Sequence, residues 1–212
     1  MLPNNIAYAI ASAYAAAISV SAATNATEAV LTTAANTYAV GDYLEYACGW
    51  SKANGRVFRA KLASSTSVTL EGFDTSDLTL FPAGAGIGSL RKITSWQSIV
   101  KVLACDPSGG DAKYATTNYM DSDTEVSIPD GFSATTYNIS IEDDPAQPHN
   151  AVLRAASNSA KPLALKMVLP NGAILLYSGY CSFNENPTMS KGQVMAVKAG
   201  FAISGKVVRY AS

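Results

Sequence analysis

Apolar and polar positions alternate most clearly in the last part of the chain. Leu163, Leu165, Met167 and Leu169 fall on one side, Ala164, Lys166 and Val168 on the other. Period two predicts a strand with one buried face. Pro170-Asn171-Gly172 follows as a turn, with proline pre-setting its first position and glycine taking the left-handed one. Residues 174–183 return as an apolar, aromatic strand. After Asn184-Glu185-Asn186-Pro187, a third strand is predicted over 193–204, with Met195, Val197, Ala199, Phe201 and Ile203 on its apolar face.

Shorter strands are predicted upstream, over residues 29–33, 43–48, 56–62 and 68–73. Val40-Gly41-Asp42, Asn54-Gly55 and Asp74-Thr75-Ser76-Asp77 punctuate them. Turn signals recur every ~8–12 residues, the spacing of a small all-β unit. This reads as a module over 24–88, closed by a flexible linker, Pro82-Ala83-Gly84-Ala85-Gly86-Ile87-Gly88-Ser89. It would then be an add-on, separable from a core over 89–212.

The run over 6–20 is apolar and alanine-rich, and its period is ambiguous. Ile6, Tyr8 and Ile10 alternate like a strand, whereas Ile6, Ile10, Tyr14 and Ile18 recur like a helix. No lysine or arginine precedes Lys52, so the positive region of a secretory signal is missing. The run is also too short to cross a bilayer. It reads as an extended arm, 1–23, packed on the core or on a neighbouring subunit.

One helix is expected. Carboxylates and prolines from Glu142 to Pro148 suit a helix start, and Val152, Leu153 and Ala156 supply an apolar stripe over 149–157. Asp143 and Asp144 read as capping carboxylates, and His149, beside Pro148, as an exposed or capping residue.

Composition narrows the function classes. The 212 residues form one large domain or two small ones. Charged residues are only 15 % and the net charge is −1, which excludes a globally basic nucleic-acid binder and an acidic disordered chain. Cys48, Cys105 and Cys181 are too widely spaced for a metal or redox motif and read as reduced thiols. His149 is the single histidine, so any histidine-based triad or metal site rests on it. Ser98-Ile99-Val100-Lys101 has the spacing of some acyl-transfer enzymes but lies in a strand-like apolar stretch. Gly84-Ala85-Gly86-Ile87-Gly88 lacks the strand-loop-helix context and the lysine of a nucleotide-binding loop. No catalytic, metal or cofactor site is expected.

Charge is divided along the chain. From Asp106 to Asp144 there are nine acidic residues and one basic, Lys113; from Lys161 onward there are six basic and one acidic, Glu185. Opposite-sign halves in a nearly neutral chain invite contacts between copies.

The C-terminal segments carry a family resemblance. Pro162-Leu163-Ala164-Leu165-Lys166-Met167-Val168-Leu169-Pro170-Asn171-Gly172, then Tyr177-Ser178-Gly179-Tyr180, Lys191-Gly192-Gln193-Val194-Met195 and Gly200-Phe201-Ala202-Ile203-Ser204-Gly205 resemble, in this order, the C-terminal half of major tail tube proteins of long, non-contractile-tailed bacteriophages. The likeness extends back to about Ile93. Val40-Gly41-Asp42, Asn54-Gly55-Arg56-Val57-Phe58 and Thr69-Leu70-Glu71-Gly72 look like a small β module of phage structural proteins, one whose role varies.

The resemblance implies a mainly β fold: a β-sandwich or partly closed barrel with one flanking α-helix, plus the small all-β insertion. It implies a structural virion protein, made in the bacterial host cytoplasm, with no membrane partner. Six copies would close a ring, and rings would stack into a tail tube, with other tail proteins at its ends. Genomic DNA would pass through the lumen without specific binding. The hairpin and last long strand (Leu165, Met167, Asn171, Gly172, Met195, Val197, Phe201) would join subunits. The mobile segment 114–136 would match the family's long loop, placing Tyr119, Met120, Asp121, Asp123, Glu125, Ile128 and Phe132 at the ring-to-ring joint or in the lumen. The rival reading is a β-rich carbohydrate- or surface-binding coat or adhesion module, which would need exposed aromatics among Tyr43, Tyr46, Trp50 and Trp96.

Overall fold

The computed structural model describes residues 5–121 and 123–211. The first four residues of the expected arm, and Ser122 in the acidic stretch, lie outside them. The described chain is mainly β, with a single helix. Elements are numbered in chain order.

The predicted arm divides into two strands that serve different sheets. β1 (Ala7–Tyr14) and β2 (Ile18–Ala23) are separated by a short break. β2 joins β3 (Val30–Thr33), β4 (Tyr43–Cys48), β5 (Arg56–Ala63), β6 (Ser67–Leu70) and the start of β7 (Gly88–Ile99) in the order β2-β3-β6-β5-β4-β7. β7 also pairs with β2, through Ile18↔Leu90 and Val20↔Gly88, so these six strands close into a barrel. Alternation places Leu31, Leu44, Tyr46, Phe58 and Leu70 inside, each at most 1 % exposed. Trp50 closes one end, its ring edge-on to Phe81 at 5.4 Å and its Nε1 donating to the Pro82 carbonyl at 2.8 Å.

The barrel takes two of its six strands from outside 24–88. Its expected linker is packed rather than free. The Tyr46 hydroxyl donates to the Gly86 carbonyl, and a Cβ at Gly86 would stand 2.6 Å from both Trp50 and Ala23. A Cβ at Gly88 would meet the Ala47 carbonyl at 2.0 Å, so glycine at the seam lets β7 approach β4. Glycine content read as flexibility; here it permits close packing.

β7 then leaves the barrel. Its start pairs with β4 as far as Leu44↔Lys92, and its later residues pair with β1 from Tyr14↔Ile93 to Tyr8↔Ile99. From β1 the sheet runs through β12 (Leu163–Val168), β13 (Ile174–Thr188), β14 (Ala196–Ile203) and β11 (Thr135–Glu142) to β8 (Val102–Ser108). This sheet curls around a second core that includes Ile10, Ile141, Leu153, Leu165, Val197 and Phe201. β15 (Val208–Tyr210) lies beside the start of β13 and sends Val208 and Tyr210 into the barrel's cluster. β9 (Ala112–Thr117) and β10 (Val126–Phe132) form a separate two-stranded ribbon.

A tyrosine binds sheet to barrel: the Arg59 amide of β5 donates to the Tyr210 hydroxyl at 2.8 Å, while within the second sheet the Ala164 amide of β12 donates to the Tyr14 hydroxyl of β1 at 2.9 Å. Burial pushes both phenols up to about 12, so they remain neutral at ordinary pH. Lys166 crosses the same boundary, 4.9 Å from the Tyr43 ring and 4.5 Å from that of Trp96.

Helix α1 (Pro148–Ser159) forms where the carboxylate-proline run predicts it, starting on Pro148 and ending at left-handed Ala160. The expected caps are absent. Gln147 holds the N-cap position without a side-chain bond, and Asp144 instead orders the preceding turn by accepting from the Ala146 amide at 3.2 Å and Gln147 Nε2 at 2.7 Å. Those bonds, with Lys101, bring its carboxyl down to about 2. His149 is fully buried rather than exposed, because it occupies the inward face of the first turn with Leu153 below it.

Candidate assembly surfaces

The expected subunit-joining residues separate into two groups. Leu165, Met167, Val197 and Phe201 are at most 5 % exposed and belong to the second core. β12 is paired on both sides, by β1 and β13, and β14 by β13 and β11. Neither strand therefore has a free edge for a neighbour, which corrects the expectation for these four. Asn171, Gly172 and Met195 lie at strand ends. Asn171 and Gly172 turn the hairpin, with the Gly172 amide donating to the Leu169 carbonyl at 2.9 Å. Met195 is 42 % exposed, and its carbonyl accepts from the Asp143 amide at 2.9 Å.

The free edges are elsewhere. β8 ends the curled sheet and pairs only with β11. Pro107 sits within it, as an edge strand tolerates. The later part of β7 pairs with β1 alone. A tight turn with left-handed Lys101 joins these two strands, and among the described residues no β7–β8 ladder closes the sheet. A cleft of about 770 Å³ lies along this opening, lined by Ile6, Tyr8, Val100, Leu103 and Cys105 among others. Leu103 and Val100 are exposed at its mouth. Strand edges left open in this way recruit other strands.

The ribbon is the second surface. In place of a mobile loop, the structure has β9 and β10 in register from Val126↔Thr117 to Phe132↔Ala112, with an irregularity between Pro129 and Gly131. Every residue of β10 is exposed. Tyr114, Tyr119, Met120, Ile128 and Phe132 present large apolar side chains with no core beneath them. Lys206 lies 5.6 Å from the Phe132 ring at the ribbon's base. Asp121, Asp123 and Glu125 lie at the connecting turn and Asp130 on β10, all exposed and none in an ion pair among the described residues. The later acids of the acidic stretch are occupied differently, since Lys101 bridges Glu142 and Asp144, each at 3.0 Å. The ribbon's sequence signal was weak: Ala112–Thr117 lacks strong alternation, and Pro129 and Gly131 interrupt β10.

Other sequence candidates resolve into structural roles. Ser98 is paired within β7, opposite Ala9, while Lys101 in the following turn makes the ion pairs above, so the serine-lysine spacing serves a strand and its turn. Tyr46 and Trp50 are buried and Tyr43 stacks edge-on to Trp96 at 5.6 Å, so these aromatics form packing rather than an exposed sugar-binding platform. No cluster of metal-ligating side chains occurs among the described residues. No described helix is long and apolar enough to cross a membrane.

No curated protein sequence matches the chain. Among solved structures, a chain from the virion of a native gene transfer agent particle is similar, with 13 % identity and a TM-score of 0.42, over 55 % of this chain and 89 % of that one. The family profile described as phage tail tube protein, TTP, matches residues 48–212, from the end of β4 through both cores and the ribbon. The match covers well over half of the sequence, and the chain belongs to the phage tail tube protein family, a structural family of the virion tail rather than a family of enzymes.

Proposed function

We propose that six copies of this chain close into a ring, and that rings stack into the tube through which genomic DNA leaves the virion. The observation that carries this reading is the exposed ribbon. A two-stranded hairpin without a hydrophobic face against something else is marginal in water, and this one displays Tyr119, Met120, Ile128 and Phe132 beside carboxylates that make no ion pair among the described residues. Contact with a neighbouring copy would supply the missing face. The open edges of β7 and β8 support lateral joining, because ring closure gives each edge strand a partner. Each edge hydrogen bond contributes only about 0.5–1.5 kcal/mol, so stable closure needs several per joint and apolar burial with them. The chain would be made in the bacterial host cytoplasm and meet other tail proteins at the tube ends.

The acidic ribbon suits a DNA conduit. Duplex DNA carries about one negative charge per 1.7 Å. Carboxylates near a lumen repel it over a screening distance of about 8–10 Å, whereas a basic wall would retain phosphates. Negative-stain microscopy and sedimentation of the purified protein test the reading. Rings or tubes with a sixfold end view are expected; protein that stays monomeric at high concentration counts against it. Changing Asp121, Asp123 and Glu125 together to lysine separates the two ribbon placements. At a ring joint it stops stacking. In the lumen it leaves tubes intact and slows DNA release in a salt-dependent way. Normal tubes with unchanged release would remove these residues from both places.

A further inference from the structure

The barrel carries a cation with no carboxylate partner among the described residues. Arg56 begins β5 and is partly buried, with its guanidinium 5.2 Å from the Phe58 ring centre and 5.9 Å from that of Phe73. Nη1 donates to the Lys52 carbonyl at 3.1 Å, and Nε is buried with no acceptor. The neighbouring acids are already engaged: Glu71 with Arg59, and Glu28 with Lys61 at 2.6 Å. A cleft of about 420 Å³ opens beside Arg56, lined by Glu28, Lys61 and Glu71 and by Val207 and Arg209 from the C-terminal segment. An unpaired guanidinium over aromatic faces suits a carboxylate carried by an apolar segment.

The ribbon has the complementary chemistry. Asp121, Asp123 and Glu125 make no ion pair among the described residues, and Tyr119 and Met120 are exposed immediately before them. The chain's own ribbon base is held at Lys206, and Gly205 stands against Arg56, with a Cβ built on it lying 3.7 Å from the Arg56 Cγ. Cleft and ribbon base thus lie at the same end of the molecule. The lining of the cleft includes no described ribbon residue, so the chain's own tip does not fill it. We infer that the Arg56 cleft receives the acidic ribbon tip of a second copy, a carboxylate meeting the guanidinium. This rests on the self-assembly reading and names the surface that the ribbon engages.

A cyclised peptide of residues 112–132, titrated into the full-length protein, tests the contact directly. Binding is expected to weaken at least tenfold with Arg56→Gln, to weaken similarly when the peptide's Asp121, Asp123 and Glu125 become amides, and to fall with salt. Equal binding to the parent and Arg56→Gln proteins would overturn the inference. Because the peptide amide arm uses the unaltered protein, it decides the question even if Arg56→Gln folds poorly. In assembly, Arg56→Glu should abolish tubes and the Asp121, Asp123 and Glu125→Lys partner changes should restore them; parental tube yield from Arg56→Glu alone would count against the contact. A parent that never forms tubes would overturn the ring reading, while the peptide titration still decides the cleft.

Discussion

The barrel and the second sheet solve the same problem differently. Both are antiparallel sheets curled around an apolar core. The barrel closes on itself when β7 pairs with both β2 and β4, so all six of its strands have neighbours within one chain. The second sheet stops at β8, leaves the later part of β7 unpaired on one side, and extends a ribbon into solvent. Closure serves the stability of the single chain, whereas open edges and an uncovered ribbon leave binding free energy for contacts between copies. The two share core residues, so the contrast lies in edges rather than in separable domains. Ala164, Leu176, Val208 and Tyr210 from the second sheet pack in the barrel's cluster.

Deleting residues 24–87 should break the comparison most severely. It removes partners of β2 and β7 and uncovers Val208 and Tyr210, so no soluble product is expected. A soluble, cooperatively melting product would show that the barrel is an add-on after all. Next in size, Phe201→Ala should cost about 3–5 kcal/mol in urea denaturation, while Phe132→Ser on the ribbon should change the isolated chain by less than about 0.5 kcal/mol yet reduce assembly. If both changed stability equally, the ribbon would be part of the folded core. Tyr210→Phe, which leaves the Arg59 amide without its acceptor, should cost about 1–3 kcal/mol, and a thermal melt would register whether barrel and sheet still unfold together.

The smallest effect concerns acid. Burial holds His149 below its ordinary value, with Asp144 opposing the shift, and neither ring nitrogen has a hydrogen-bond partner. The unfolded chain therefore binds a proton first. Stability should be fully present above about pH 6.5 and fall as pH drops from there toward the depressed folded value. Urea midpoints between pH 7.5 and 5.5 should show this fall, and His149→Leu should flatten it. An unchanged slope in that variant would place the acid sensitivity elsewhere.

Period-two alternation made much of the local structure legible. Predicted strands over 43–48, 56–62 and 163–169 correspond to β4, β5 and β12, the Pro170-Asn171-Gly172 turn lies between β12 and β13, and the helix follows its prolines. The sequence by itself thus determined which segments alternate, where they turn and which family they resemble, because these depend on neighbours a few residues apart. Tertiary structure alone decided that the arm splits between two sheets, that the glycine run packs against Trp50, that Val197 and Phe201 lie in a core rather than at an edge, and that His149 is buried. Alternation gives a strand one buried face but says nothing about which strands lie on either side of it. That choice rests on pairings between residues far apart in the chain, such as Tyr8 with Met167 and Arg59 with Tyr210, and those pairings left β7 and β8 with free edges.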